Sequence, residues 1–127
     1  MSTSERSRTS SRRRAALQRA WSMERAAAQA ARTAGDTAAE WHHLERAHVL
    51  SQPMAAAHVR THLAMLTYGI RAHDRREVIG QMIRLAVAGP GSLSGRYPVG
   101  NTGGADISAL AVLPIPDDLL DLLEAAP

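Results

Sequence analysis

Glu45 and His48 stand three residues apart, and His58 and His62 stand four apart, spacings that place each pair on one face of an α-helix. The two helical segments are separated by SerGlnPro at 51–53. Consecutive helices joined by so short a turn pack side by side. This region is therefore expected to form an αα-hairpin whose four side chains converge on one point, a candidate metal site. The surrounding stretch, 40–84, holds all six histidines of the chain.

Composition supports a helical reading of the rest. The 127 residues are 45% apolar, enough for one domain with a modest core. Trp21, Trp41, Tyr68 and Tyr97 are its only aromatic residues, with no Phe. The core must come from Ala, Leu, Ile, Val and Met, which suit packed helices, so the fold class is all-α. With no cysteine, disulfides, thiolate metal sites and cysteine nucleophiles are excluded, leaving histidine and carboxylate as the ligand set. Such a chain fits a reducing compartment, and a cytoplasmic location is expected.

All fifteen basic residues are arginine, and residues 1–14 carry five of them against one Glu. The remaining chain is nearly neutral, so the high pI belongs to this leader. Residues 1–14 lack any apolar residue after Met1 and are expected to be a disordered tail. Nucleic acid is an expected partner only through this arginine tail. The triple arginine is not expected to act as an export signal, since Gln18, Arg19, Glu24 and Arg25 interrupt the apolar run that a signal requires. No stretch approaches the length of a membrane span.

Residues 15–127 are expected as one helical domain. A first helix, 15–34, ends at Gly35, and Asp36 caps a second, 37–50, in which Trp41, Leu44 and His48 share a stripe. Pro53 is suited to open a third helix, 53–71. That helix carries the apolar stripe Val59, Leu63, Leu66 and Ile70, with His58, His62 and Met65 beside it. Asp74 and Glu77 have capping-box spacing at the head of a fourth, 74–88, which is expected to bury Val78, Met82 and Leu85, or Ile79, Ile83 and Ala86. Residues 89–115 are rich in Gly and Pro and expected to be irregular, with Tyr97 and Pro98 packing beneath the fold-back. A short helix over 116–125 docks through its leucines.

GlyAspThrAlaAlaGlu at 35–40 and HisAspArgArgGlu at 73–77 each open the second helix of a pair, and Pro53 and Pro90 each follow it. Two tandem αα-hairpins result, resembling tetratricopeptide (TPR) units, although two fall short of the three or more that such stacks generally need. The blocks WHHLERAHVLSQ, HVRTHLAML, RREVIGQMIRL and GRYPVGNTGGADIS together resemble the bacterial family DUF3703, a domain of unknown function, over about residues 20–120. The resemblance implies a compact helical single-domain protein with no established activity, and it favours a metal role. The Arg/Ser leader falls outside it.

Neutral imidazoles bind Zn²⁺ and its neighbours through a ring nitrogen, and a carboxylate can complete the shell. His48, His58, His62 and Glu45 are the candidate ligands. Glu77 and Asp74 are candidate supports that fix the imidazole tautomers, and Asn101 and Thr102 are candidate lid groups. With a carboxylate in the set, Zn, Fe and Mn all remain open. The competing reading makes the histidines interior hydrogen-bond donors.

Other chemistry is less well served. Glu45 and His48 form a single Glu-x-x-His element, where a di-iron bundle needs two and further glutamates. HisValArgThrHis lacks the glutamate that serves as the metalloprotease base, and GlyAsnThrGlyGly lacks the Lys and Ser/Thr of a P-loop. The chain is thus expected to bind or sense a transition metal rather than catalyse. The alternative is a TPR-like protein-interaction module with structural histidines, its protein partner unspecified.

Overall fold

The computed structural model describes residues 1–94, 98–107 and 111–124, of which 87–93 are described as backbone only. Tyr97 lies outside the described residues. Among them the chain is all-α, with five helices: α1 (Thr3–Ala34), α2 (Thr37–Ser51), α3 (Ala55–Arg71), α4 (Arg75–Ser94) and α5 (Asp117–Glu124). α1 packs on α2, α2 on α3, α3 on α4, and α5 returns to α1. No helix among the described residues is long and apolar enough to cross a membrane.

Local chemistry sets most boundaries. α1 ends where Gly35 adopts the left-handed conformation (φ 75°), its N–H returning to the Ala31 and Arg32 carbonyls. Asp36 then caps α2 by accepting the Ala39 N–H at 3.0 Å. Asp74 does the same for α4, accepting the Glu77 N–H at 3.0 Å.

Several expectations need correction. Residues 3–14 are not a disordered tail but the first turns of α1. Ser2 and Glu5 form a reciprocal capping box there, so the segment is held by its own backbone ladder while its arginines stay exposed. Pro53 does not open α3; it lies in the turn, and Met54 is the N-cap residue. α4 does not stop at Ala88 but continues to Ser94.

The core has two parts. Leu17, Trp21, Ala47, Val49, Leu50, Met54, Ala57 and Leu119 join α1, α2, the head of α3 and α5. Ala28, Leu44 and Met65 form a smaller cluster, with Trp41 and Tyr68 against it. Trp21 Nε1–H donates to the Thr61 hydroxyl at 2.9 Å in the interior, which ties α1 to α3. Arg46 bonds Glu24 at 2.8 Å and also pairs with Asp118, anchoring α5.

The fourth helix reverses the expected polarity. Among its described side chains Glu77, Gln81 and Arg84 are buried, whereas Ile79, Met82 and Ile83 are exposed. α3 shows the same inversion, with His58, Thr61 and His62 buried and Leu63 and Ile70 exposed. The inward face of α4 is therefore polar over the described side chains, while that of α3 is mixed, with Ala57 and Met65 buried beside its histidines.

Candidate metal centre

His48 from α2 and His58 and His62 from α3 meet in the interior, each no more than 6% exposed. Their Nε2 atoms form a near-equilateral triangle: His48 to His58 is 3.0 Å, His48 to His62 is 3.1 Å, and His58 to His62 is 3.2 Å. The i, i+4 spacing stacks the two α3 imidazoles one turn apart, and the α2–α3 turn brings His48 opposite them.

The partners of the outer ring nitrogens fix two of the tautomers. His48 Nδ1 lies 2.5 Å from the Asn101 backbone carbonyl, which can only accept, so Nδ1 carries the proton. His62 Nδ1 lies 2.5 Å from Gln81 Oε1. The Gln81 amide cannot be turned around, because its Nε2 donates to the Glu77 carboxylate at 2.5 Å and to the Gly103 carbonyl at 2.7 Å, both of which only accept. His62 Nδ1 is therefore also the protonated nitrogen. In both rings Nε2 presents a lone pair to the centre of the triangle.

The electrostatics agree. Burial pushes the His48 imidazole well below its ordinary 6.5, the neighbouring His62 and His58 and Arg84 push the same way, and the Asn101 carbonyl opposes. Burial likewise lowers His62 to about 4, with the Gln81 hydrogen bond opposing. Both rings are neutral at pH 7, the state that binds metals.

The segment 98–107 closes over these rings. Glu77 Oε2 accepts the Ala105 N–H at 2.9 Å, Arg84 Nη2 donates to the Ile107 carbonyl at 2.7 Å, and Asn101 Oδ1 accepts the Gly103 N–H at 2.9 Å. Gly103 sits so close to His48 that a Cβ there would lie 2.6 Å from the imidazole, and its φ is 84°. Only glycine meets both conditions without strain.

The expected site residues fall into three groups. His48, His58 and His62 come together as a group able to hold a metal ion. Glu77 supports them, but through Gln81 and not by direct contact. Glu45 is not in the group. Its half-buried carboxyl is bonded by Thr102, and burial raises its pKa while Asp106 and Glu77 add to the rise. Asp74 is the α4 cap, and its capping box is one-sided because the Glu77 carboxylate turns inward instead. Asn101 touches the site through its carbonyl, whereas Thr102 bonds Glu45, outside the group.

Gln81 and Gly103 were not anticipated as site residues. Glu77 and Gln81 stand four apart on α4, the same signal that revealed His58 and His62, but an exposed polar stripe has the same spacing.

A family model matches residues 15–123 and carries the description "Protein of unknown function (DUF3703)". The chain belongs to the DUF3703 family. No match was found among curated proteins or solved structures. The family model begins at residue 15, so the arginine-rich first turns of α1 lie outside the part of this DUF3703 chain that it matches.

Proposed function

We propose that this protein binds one transition-metal ion through His48, His58 and His62, to hold or sense the ion rather than to turn over a substrate. The observation that carries the reading is the convergence of three Nε2 atoms at 3.0 to 3.2 Å, two of them oriented as lone pairs by their outer partners. Without a cation these lone pairs repel one another in a buried place. An ion about 2.0 to 2.1 Å from each nitrogen, the usual Zn–N distance, sits about 1 Å out of their plane. That is close to three vertices of a tetrahedron, whose edges at this bond length are about 3.3 Å.

The donor set narrows the ion. With Glu45 bonded to Thr102 instead, the three ligands are all imidazole, which suits Zn²⁺, Fe²⁺, Ni²⁺ and copper better than oxygen-preferring Mn²⁺. The outer partners are of the kind that orient metal-binding histidines, a carbonyl on one ring and an amide backed by a carboxylate on another.

The test is elemental analysis of untagged protein, with Zn²⁺ titration of the metal-free form followed by thermal melting. About one ion per chain is expected, together with a higher melting temperature that is lost in His58→Ala and His62→Ala. No stoichiometric ion and no shift in the wild type would refute the metal reading and leave the histidines structural.

A further inference from the structure

α3 and α4 turn buried polar side chains inward, and several large apolar residues are left outside. Leu63 and Ile70 on α3 and Ile79, Met82 and Ile83 on α4 are between 48% and 63% exposed. Leu66, beside them, is half-buried. Gly69 lets the two helices approach closely, a Cβ there meeting Glu77 and Val78 at 3.3 Å. At that point Ile70, Val78 and Ile79 line one hollow together with His73 and Asp74. The two stripes therefore flank a shared groove between neighbouring helices.

In a stack of helical hairpins the last hairpin normally shows a polar outer face. Here the last one is apolar outside, and the chain's own final helix does not cover it, since α5 docks on α1 through Leu119. An apolar groove between two helices takes a third helix.

Charge selects the occupant. Arg75 lines the hollow itself, Arg76 and Arg60 are exposed on the same two helices, and Asp74, which also lines the hollow, is already the α4 cap. Two copies aligned face to face would set Arg75 and Arg76 against their own equivalents at one end, or against Arg60 of the other copy. Both arrangements place like charges together. The geometry points to a foreign amphipathic helix, apolar on one face and acidic on the other, docking in the α3–α4 groove. This inference is independent of the metal reading, because the exposed side chains on which it rests are not among the histidines or their hydrogen-bond partners.

The experiment uses the full chain and two fluorescein-labelled helical peptides of about 18 residues, five turns, with leucines at i, i+3, i+4 and i+7. One has glutamates at its polar positions, and the other has lysines there. Fluorescence anisotropy should show the acidic peptide binding more than about tenfold tighter than the basic one. Met82→Glu with Ile83→Glu should abolish that binding, and Arg75→Glu with Arg76→Glu should reverse the preference. All four substituted positions are exposed, so folding and zinc stoichiometry should be unchanged. Equal binding of the two peptides, or binding of neither, would overturn the proposal. So would a dimer, seen by light scattering, that Met82→Glu with Ile83→Glu converts to monomer, which would make a second copy the occupant.

Discussion

Acidification of the metal-free protein tests the histidine cluster most directly. His62 is held at about 4 against an ordinary 6.5, so as pH falls below 6.5 the unfolded chain takes up a proton that the folded chain refuses. Stability from this group is complete above about pH 6.5, falls through the interval, and is lost below about pH 4. Each pH unit of that interval is worth about 1.4 kcal/mol, which makes the loss about 3 kcal/mol. That is a large share of the roughly 5 to 15 kcal/mol that holds an ordinary domain together. His48 shifts in the same direction and steepens the fall. Glu45 works against it, because its raised pKa lets the folded state keep a proton that the unfolded state has released. Comparing wild type with His62→Gln removes the Glu45 contribution. Urea denaturation between about pH 7.5 and pH 4.5 should show wild type losing about 2 to 3 kcal/mol more than the variant. Parallel profiles for the two proteins would mean that His62 titrates as an ordinary surface histidine, and the argument from burial would fail.

Gly103→Ala should cost about 2 to 4 kcal/mol, from the left-handed backbone together with the collision on His48, and should weaken zinc binding. Gly35→Ala shares the positive φ but has nothing within 4 Å of its Cβ, so it should cost only about 1 kcal/mol; denaturation of the two side by side separates strain from contact. Gln81→Leu leaves the His62 Nδ1–H without its acceptor and takes the donor from Glu77 Oε1. Zinc affinity should fall about 10- to 100-fold, as read by competition with a chromophoric chelator. Thr61→Val keeps the shape but strands the Trp21 indole N–H, and should cost about 1 to 3 kcal/mol, with a change in indole fluorescence.

Much of this architecture could be read from local signals. Gly35, Asp36 and Asp74 act on backbone groups within a few residues, so the helix ends they set were legible. The i, i+4 pair His58 and His62 was legible for the same reason, and the turn at 51–53 sufficed to add His48. Glu45 was misplaced because helical spacing gives a residue's face but not its reach, and Thr102, which bonds it, comes from a segment more than fifty residues away. The orientation of α4 was hidden for a related reason. Its apolar stripe and its Glu77, Gln81, Arg84 stripe have equal periodicity, and by hydropathy alone the apolar one belongs inside.

The choice between those stripes follows from what a buried imidazole requires. The His48 and His62 rings each have an N–H on their outer side, and leaving such a donor without an acceptor in the interior costs about 1 to 3 kcal/mol. The Glu77 carboxylate, once buried, must in turn be bonded on both oxygens, which Gln81 and Ala105 do. These demands are linked, so satisfying one and not the others leaves a buried charge uncompensated. Exposing Ile79 or Ile83 forfeits up to about 1.5 to 3 kcal/mol each, but that loss is recovered whenever another apolar surface covers them. An unpaired carboxylate has no such remedy inside the fold. The polar network therefore takes the interior, and the apolar stripe is left outside. The supported histidine cluster and the exposed groove are opposite faces of the same arrangement of α3 and α4.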